Sequence, residues 1–298
     1  MTFKQLEALY WVVHLGGFAA AARRLHTTQS AISKRIQELE ALFNTLLFDR
    51  EQRRARLTEK GEELFLLAKQ ILLQRDAATE QFSRPDVIQK RLRLGVTELT
   101  AMTWLPKLVR AIQDRYPKVI IEPDIDLSLD LKDKLLKDEL DLIVIPAVFQ
   151  DAQLVSSPLT SVESSWMCSP NLMNTKKRLS LRDLVQHRLL IQGEKSGTGI
   201  LYNRWFKSLG LDMPMTTSSN NMIALIGMTV AGLGCSYLPR DCLSSYIANG
   251  KLAVMHIKPA LPPVPYVALQ RKEYPSVLMN SVITLAEECC DFSIMFST

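Results

Sequence analysis

The sequence predicts an all-α N-terminal part followed by an α/β part. Over about the first 80 residues, apolar side chains recur at spacings of three and four, as one buried helix face requires. After residue 90, short apolar runs alternate with helical patterns, which indicates strands and helices in turn. Between the two parts, residues 83–90 contain Pro85, which cannot continue a helix, so we expect a hinge there. A chain of 298 residues suits about two domains.

The first 43 residues carry the pattern of a helix-turn-helix. Thr2 can cap a first helix, and residues 18–25 form a short alanine-rich helical pattern. The Thr27-Thr28 pair then supplies the N-cap of a third helix, predicted over residues 29–43. We expect the inward face of this third helix to consist of Ile32, Ile36, Leu39 and Leu42.

The outer face of the third helix has the chemistry of a surface that contacts DNA. Gln29 and Ser33 can hydrogen-bond base edges, while Ser30, Lys34 and Arg35 can reach phosphates. The alternative is an ordinary solvated helix surface. The DNA hypothesis is favoured because the small-residue helix, polar turn, hydroxyl cap and clustered charge occur together.

A basic segment follows the third helix. Residues 46–57 predict a short hairpin, or wing, whose arginines contact the phosphate backbone or the minor groove; a merely solvated charge run is the alternative. Residues 1–60 hold ten Lys/Arg against six Asp/Glu, so most of the formal net charge of +5 lies there. The predicted DNA-binding residues are Thr28, Gln29, Ser30, Ser33, Lys34, Arg35, Arg50, Arg53, Arg54 and Arg56.

A long helix is predicted over residues 59–82, with Thr58 as its cap. Because so long a helix leaves the small domain, we expect its apolar stripe to be buried only against a partner helix, as a dimerisation arm. Packing along the chain's own second domain is the alternative. The stripe consists of Leu64, Leu67, Ala68, Ile71, Leu72, Ala78 and Phe82.

Several short motifs occur together in residues 1–90. They are Ala21-Ala22-Arg23-Arg24-Leu25-His26, Thr28-Gln29-Ser30-Ala31-Ile32-Ser33, Ile36 with Leu39-Glu40, Leu47-Phe48-Asp49-Arg50 and Leu57-Thr58-Glu59-Lys60-Gly61. With these motifs, the segment resembles the winged helix-turn-helix and linker helix of LysR-type transcriptional regulators. One departure is Ser30, where many members have proline at the start of the recognition helix; proline is favoured there but not required.

The resemblance implies a domain organisation and partners. Residues 1–58 correspond to a winged helix-turn-helix DNA-binding domain, 59–90 to a linker and dimerisation helix with a hinge, and 91–298 to an effector-binding domain. The implied partners are double-stranded DNA, a small-molecule effector that is a polar or aromatic metabolite, and a second or further copies of the chain in a homodimer or homotetramer.

The α/β part is expected to form parallel sheet with helices on its faces, and ligands in such sheets bind outside the carboxyl ends of the strands. Val230-Ala231-Gly232-Leu233-Gly234, together with Leu238-Pro239, is similar to the family's effector-binding domain. That resemblance implies a two-lobed fold like that of periplasmic solute-binding proteins. One small ligand would lie between lobe 1, at about residues 91–160 and 265–298, and lobe 2, at about residues 161–264.

Carried over by position, the resemblance implies a cleft with polar groups and helix N–H groups for a ligand's head. Family members that bind carboxylates often have an arginine just after the third strand, where this chain has Pro146, and Glu98 adds a negative charge. An anionic effector must then rely on helix N–H groups, hydroxyls or Lys195. The alternatives are a neutral ligand, an aromatic ligand that bears an acid group, and an amine that pairs with Glu98. For each position, a loop or strand-end residue without a ligand is the alternative. The implied effector-binding residues are Thr97, Glu98, Leu99, Thr100, Ser128, Pro146, Ala147, Gln192, Ser196, Thr198, Asn221 and Met222.

Signatures of an enzyme, a cofactor site or a membrane span are missing from the sequence. There is no Gly-x-Ser-x-Gly elbow, nucleotide loop or metal-ligand spacing, and residues 193–199 resemble a phosphate loop only in composition. We therefore expect neither catalysis nor a bound cofactor or metal. Since no run approaches the ~18 apolar residues of a membrane span and no signal peptide begins the chain, the expected location is the cytoplasm.

Five cysteines, at positions 168, 235, 242, 289 and 290, are expected to be reduced and mostly packed. The leading hypothesis is a LysR-type regulator whose promoter binding is modulated by an effector in the inter-lobe cleft. The alternative is a thiol redox-sensing regulator of the same family, with Cys235 and Cys242 as a reversible pair. An apolar strand entry at Cys235 would raise the pKa of its thiol and make it inert.

Overall fold

A computed structural model of the chain describes residues 1–49, 56–82, 84–175, 178–211, 216–272 and 276–296. The chain divides into two compact units. The N-terminal unit comprises Met1–Ser83 with Pro275–Val277, and the C-terminal unit comprises Arg84–Tyr274 with Leu278–Thr298.

The N-terminal unit is helical, and its helices begin where the capping residues predict. The Thr2 side chain accepts a hydrogen bond from the Gln5 N–H, and the Gln5 side chain accepts one from the Thr2 N–H, which completes a capping box. Thr28 and Thr58 cap the two longest helices, whose predicted ranges are confirmed. The helices are α1 (Phe3–His14), α2 (Phe18–Arg24), α3 (Gln29–Phe43) and α4 (Glu59–Phe82).

The core of this unit confirms most of the predicted inward face of α3. Ile32, Ile36 and Leu39 are buried against α1 and α2 residues such as Leu9. The prediction for Leu42 was wrong, because its side chain is 55% exposed. At 100° per residue, position 42 is rotated by about 80° from position 32, which takes it to the edge of the buried stripe.

Part of the apolar stripe of α4 is buried in the N-terminal unit, and part of the helix surface is apolar and exposed. Leu64, Ala68, Ile71 and Leu72 pack into the N-terminal unit's own core, so the expectation that the stripe could be buried only against a partner helix was wrong for them. The outer part of the helix remains apolar and uncovered. Its exposed side chains are Leu66, Leu67 and Phe82, at 60%, 54% and 86% exposure.

The base of the predicted wing is present. Phe48 and Leu57 form an antiparallel bridge, and the Asp49 N–H donates to the Arg56 carbonyl at 2.9 Å. The segment passes so close to α4 that a Cβ on Gly61 would lie 2.1 Å from the Leu47 carbonyl oxygen, which explains the glycine there. The wing tip at residues 50–55 falls outside the described residues.

The C-terminal unit contains two five-stranded sheets, each of mixed direction. The first has the order β2-β1-β3-β12-β4, and the second has the order β10-β5-β9-β7-β8. The strands are β1 (Arg91–Val96), β2 (Ile120–Ile125), β3 (Leu142–Pro146), β4 (Leu154–Val162), β5 (Ser164–Cys168), β6 (Leu179–Ser180), β7 (Leu189–Gln192), β8 (Thr216–Ser219), β9 (Cys235–Pro239), β10 (Ala253–Val254), β11 (Ile257–Lys258) and β12 (Val264–Arg271).

Mixed direction corrects the expectation of purely parallel sheet. In the first sheet, β1 pairs parallel with β2 and β3, whereas β12 pairs antiparallel with β3 and β4. In the second, β7 pairs parallel with β8 and β9, whereas β5 is antiparallel to β9. The chain leaves the first sheet along β4 and returns along β12, so two neighbouring strands run in opposite directions. We call the first sheet with its helices lobe 1 and the second sheet with its helices lobe 2.

Helices connect these strands, and one of them is shorter than its sequence pattern indicates. The apolar spacing from Met102 to Tyr116 predicts one helix, but the helix covers only Leu105–Arg115, because Pro106 fits the first turn of a helix. Thr103 and Trp104 separate it from the short helix Glu98–Met102. The helices are α5 (Glu98–Met102), α6 (Leu105–Arg115), α7 (Ser128–Leu136), α8 (Leu181–Leu184), α9 (Gly197–Ser208), α10 (Met222–Val230), α11 (Ser244–Ala248) and α12 (Val277–Cys289), with 3₁₀ turns at Pro85–Val87 and Asp241–Leu243. Within the described ranges, the helices are too short or too polar to cross a bilayer.

Candidate DNA interface and ligand cavity

The turn between α2 and α3 is fixed by the backbone. His26 adopts a positive φ of 49°, and the Thr27 N–H donates to the Ala22 carbonyl at 3.0 Å. The Thr28 hydroxyl accepts from the Ala31 N–H at 3.2 Å and lies 3.0 Å from the Ser30 hydroxyl. These contacts set the direction in which α3 leaves the turn and place small hydroxyls at its N-terminus.

Most of the predicted DNA-binding residues in the described segments face solvent. Thr28, Gln29, Ser30 and Lys34 are exposed, and Ser33 and Arg35 are half-buried. They lie at the N-cap and along the first two turns of α3, and Arg56 is exposed at the base of the wing. Arg50, Arg53 and Arg54 fall outside the described residues.

Two carboxylates hold α3 in place within the N-terminal unit. Glu38 accepts a hydrogen bond from the Gln5 side chain at 2.9 Å, which ties α3 to α1. Glu40 accepts from the backbone N–H of Leu47 at 2.9 Å and of Phe48 at 3.4 Å, which ties α3 to the base of the wing. The polar face of the helix is therefore presented from a rigid support.

A cavity of about 470 Å³ lies between the two lobes of the C-terminal unit. It opens at the carboxyl ends of strands from both sheets, where ligands of α/β proteins commonly bind. Of the predicted effector-binding residues, those that line it are Thr97, Glu98, Leu99, Ser128, Pro146, Gln192, Ser196, Thr198, Asn221 and Met222.

Two predicted effector-binding residues are not among the lining. Thr100 is fully buried with its hydroxyl 3.5 Å from that of Thr97, and the Ala147 N–H donates to the Pro265 carbonyl in the sheet. The set of implied effector-binding residues leaves out six lining residues, Ile125, Asp126, Leu127, Ser219, Asn220 and Tyr266. The first three lie at or directly after the carboxyl end of β2, where the prediction named only Ser128.

Hydrogen bonds join the lobes beside the cavity. The Ser128 hydroxyl, at the start of α7, accepts from the Gly197 N–H at 3.0 Å, and the Leu129 N–H donates to the Lys195 carbonyl at 3.1 Å. On the opposite side, the Met222 N–H donates to Glu98 Oε2 at 2.6 Å. Lobe 1 is thus bonded to the N-terminal turns of two lobe 2 helices, α9 and α10.

Several polar groups of the cavity are held by their own neighbours. Asn221 caps α10 by accepting from the Ala224 N–H at 2.7 Å, and Ser196 caps α9 and donates to the Gln192 side chain. Burial raises the pKa of Tyr266 to about 12, despite hydrogen bonds with Thr97 and Thr198 that act in the opposite direction. The tyrosine therefore stays a neutral hydroxyl at physiological pH.

The charged groups at the cavity are acidic. Burial favours a higher pKa for Asp126, but hydrogen bonds from the Lys134 ammonium and the Leu127 N–H outweigh it, so the pKa is lowered. Glu98 is the other carboxylate, and the lining residues that the structure describes include no Lys, Arg or His. In the described part of the chain, no group of three or more His, Cys, Asp or Glu side chains is placed to hold a metal ion.

The thiols of Cys168, Cys235 and Cys242 are buried, and their contacts differ from the redox pair that was the alternative interpretation. Cys235 lies in hydrogen-bonding contact with Cys168 on the neighbouring strand, and this contact together with burial raises the pKa of the Cys235 thiol. Cys242 instead donates to the Pro239 carbonyl, and burial raises the pKa of its thiol to about 12. Neither member of the pair proposed from sequence is a reactive thiolate at neutral pH.

Comparison with protein families decides the identity of the fold. The model for the LysR substrate binding domain matches residues 85–290, and the model for the bacterial regulatory helix-turn-helix protein of the lysR family matches residues 3–62. The chain belongs to the LysR family of transcriptional regulators. The resemblance inferred from the sequence motifs and the predicted fold class are both confirmed. LysR proteins are DNA-binding transcriptional regulators rather than enzymes.

Individual LysR-type relatives match over nearly the full chain. The transcriptional regulator MetR of Escherichia coli strain K12 is 27% identical over 290 residues, which cover 97% of this chain and 90% of MetR. Among solved structures, a full-length OxyR variant from Pseudomonas aeruginosa has a TM-score of 0.72 at 22% identity, covering 98% of this chain and 96% of OxyR. Full-length CbnR, solved in complex with its target DNA, has a TM-score of 0.54 at 21% identity, covering 97% of this chain and all of CbnR. At these identities, the structural matches show the shared LysR fold.

Proposed function

We propose that this LysR-type regulator binds double-stranded promoter DNA as a homodimer or homotetramer and that a small-molecule effector in the inter-lobe cavity modulates that binding. The working parts are a winged helix-turn-helix at residues 1–58, a linker and dimerisation helix with a hinge at residues 59–90, and an effector-binding domain at residues 91–298. The expected location is the cytoplasm.

The observation that carries the proposal is the cavity itself. Its volume of about 470 Å³ suits a small metabolite, and both lobes contribute to its wall. The two lobes form hydrogen bonds with each other directly beside the cavity. A molecule in the cavity therefore contacts both lobes when they are close together and loses some of these contacts when they move apart. A ligand that binds one arrangement better shifts the population towards it, which is what regulation by an effector requires.

The polar face of α3 supports DNA as the partner. Gln29 and Ser33 project amide and hydroxyl groups that can hydrogen-bond bases, and Ser30, Lys34 and Arg35 stand where they can bind phosphates. The CbnR structure with its target DNA provides a precedent within the family for binding through this fold. The arginines of the wing, including Arg56, are proposed to add phosphate or minor-groove contacts.

The outer surface of α4 supports assembly of more than one copy. Leu66, Leu67 and Phe82 are large apolar side chains that remain exposed along one helix. Leu67 and Phe82 lie about 60° apart around the helix axis. Burying these two side chains against the same helix of a second copy would remove them from water, as in other helix-pairing dimers. Two DNA-binding units would then read half-sites separated by one or more turns of the double helix.

Redox sensing through Cys235 and Cys242 is the alternative, and the thiol chemistry does not favour it. Both side chains are buried, and the pKa of each thiol is raised, so little thiolate is available to react with an oxidant. Replacing both cysteines with serine should leave any response to oxidant unchanged; loss of a response after this replacement would restore the alternative.

The test of DNA binding is fluorescence anisotropy of the purified full chain on the intergenic DNA upstream of its own gene. We expect binding that survives excess competitor DNA at moderate salt. Lys34→Ala should lower the slope of log K against log salt concentration by about 0.9, the value for one lost phosphate contact, while Lys118→Ala on the C-terminal unit serves as the matched control. Equal binding to competitor and upstream DNA would overturn the proposal.

A further inference from the structure

Glu98 connects the two lobes across the cavity. It lies in the first turn of α5 in lobe 1, and its carboxylate accepts from the Met222 N–H at 2.6 Å and from the Ile223 N–H at 3.5 Å. Those N–H groups form the N-terminal end of α10 in lobe 2. Helix N-termini carry a partial positive charge and commonly bind anions. The protein's own carboxylate therefore occupies the position that a ligand's carboxylate would take.

Two further N–H donors at the cavity are also engaged within the protein. The Gly197 N–H, which is the first of α9, donates to the Ser128 hydroxyl. The Ala224 N–H, in the first turn of α10, donates to the Asn221 side chain. An anionic ligand would have to displace these intramolecular acceptors before it could use the same donors. These N–H groups at the starts of α9 and α10 are thus already bonded within the chain.

Cations near the cavity are paired with carboxylates. The Lys195 ammonium, which an anionic effector would otherwise use, lies 2.8 Å from Asp130. Lys134 lies 2.7 Å from Asp124 and 2.8 Å from Asp126. An incoming carboxylate would meet Glu98 without gaining a positive partner, and like charges at close range cost free energy in a partly desolvated site.

We propose that Glu98 is a charge-selectivity determinant, so that the cavity accepts small molecules whose polar end is uncharged or cationic and rejects carboxylates. This inference rests on the proposed function, in which the cavity is the effector site. The apolar side chains of Leu99, Ile125 and Met222 receive the body of the ligand, and the hydroxyl and amide groups hydrogen-bond its head. Removing the Glu98 carboxylate frees the N-terminus of α10 and converts the cavity into an anion-binding site.

The experiment compares thermal unfolding of the full chain with three probes that share one ring: benzoate, benzamide and benzylamine. In Glu98→Ala, about 10 mM benzoate should raise the unfolding temperature by about 2–4 °C, whereas wild type should show no benzoate-dependent rise. Glu98→Gln removes the charge at nearly constant size and guards against a folding defect in the alanine variant. Glu139→Gln, an exposed carboxylate elsewhere in lobe 1, is the control for net charge.

The outcomes separate cleanly. A benzoate response confined to the Glu98 variants supports the proposal. A response to benzoate in wild type as large as in the variants, or no response to benzoate in either Glu98 variant, overturns it. Fluorescence anisotropy on upstream DNA is measured with the same preparations. Absence of specific DNA binding by the wild-type protein counts against the proposed function. The charge selectivity of the cavity is judged from the thermal shifts with the three probes alone.

Discussion

Gly197 stands where the lobes touch, and replacing it with alanine should push them apart. A Cβ at this position would lie 2.8 Å and 2.9 Å from two carbons of Pro146 and 2.9 Å from the Ser128 hydroxyl oxygen. All three atoms belong to lobe 1, whereas Gly197 begins α9 in lobe 2. Ordinary contact with a Cβ starts near 3.4 Å, so each neighbour must withdraw by about 0.5 Å.

The size of the effect follows from three contributions. Overpacking of a tight contact costs about 1–3 kcal/mol, and weakening the Gly197 N–H bond to Ser128 adds about 0.5–1.5 kcal/mol. Alanine also lowers the conformational entropy of the unfolded chain, which stabilises the folded state by about 0.4–1 kcal/mol. We therefore expect Gly197→Ala to lower the free energy of unfolding by about 0.5–4 kcal/mol; a central value of about 2 kcal/mol corresponds to a decrease of about 4–8 °C in unfolding temperature.

Gly227→Ala is the matched control. Gly227 lies inside α10 of the same unit, and nothing lies within 4 Å of a Cβ built on it. Alanine there should stabilise by about 0.5–1 kcal/mol through helix propensity alone. Urea unfolding followed by tryptophan fluorescence measures both variants. The reasoning about inter-lobe contact is refuted if Gly197→Ala is as stable as wild type or matches the gain of Gly227→Ala.

Three further predictions concern the N-terminal unit and the thiols. Gly61→Ala should destabilise the N-terminal unit by about 2 kcal/mol or more, because its Cβ would lie 2.1 Å from the Leu47 carbonyl oxygen; hydrogen exchange on α4 unchanged from wild type would contradict this. Leu67→Lys should reduce the molar mass measured by light scattering at micromolar concentration, and an unchanged mass would exclude the face of α4 with Leu67 and Phe82 from assembly. Burial raises the pKa of both Cys242 and Cys290 to about 12, from an ordinary value of 9.0, so the folded state holds protons that the unfolded state releases. The free energy of unfolding should therefore decrease as pH rises from about 9 to about 12. Alkylation of Cys242 and Cys290 at pH 8 should be slow. Rapid labelling of either thiol in the folded chain would contradict both expectations.

The elements that could be predicted from the sequence are those whose signals are local. Thr28 and Thr58 are capping residues beside long periodic segments, so the ranges of α3 and α4 were correct to the residue. The strand β4 was missed because its serines and Pro158 suggest a loop, whereas proline is tolerated here at the edge of the sheet. The helix α5 was missed because its five residues are too few to show a helical period.

For the cavity too, residues with a local sequence signal could be predicted, whereas contacts between distant parts of the chain could not. Its lining from Thr97, Ser128 and Asn221 could be inferred because each residue lies at a strand end or a helix start. The bond between Glu98 and the Met222 N–H joins residues 124 positions apart, and no local pattern encodes it. Glu98 could be identified as a negative charge near the site, but its role as an internal anion required the relative placement of the lobes.

The central claim is that occupancy of the inter-lobe cavity changes DNA binding, and a paired titration tests it most directly. A metabolite library is first screened by thermal shift of the full chain, and the ligand that stabilises it is then added at saturation to anisotropy and footprinting measurements on upstream DNA. The account predicts a change in DNA affinity of about 5–150-fold or a shifted footprint, as expected for coupled sites. A ligand that saturates the cavity while affinity and footprint both stay the same would contradict it.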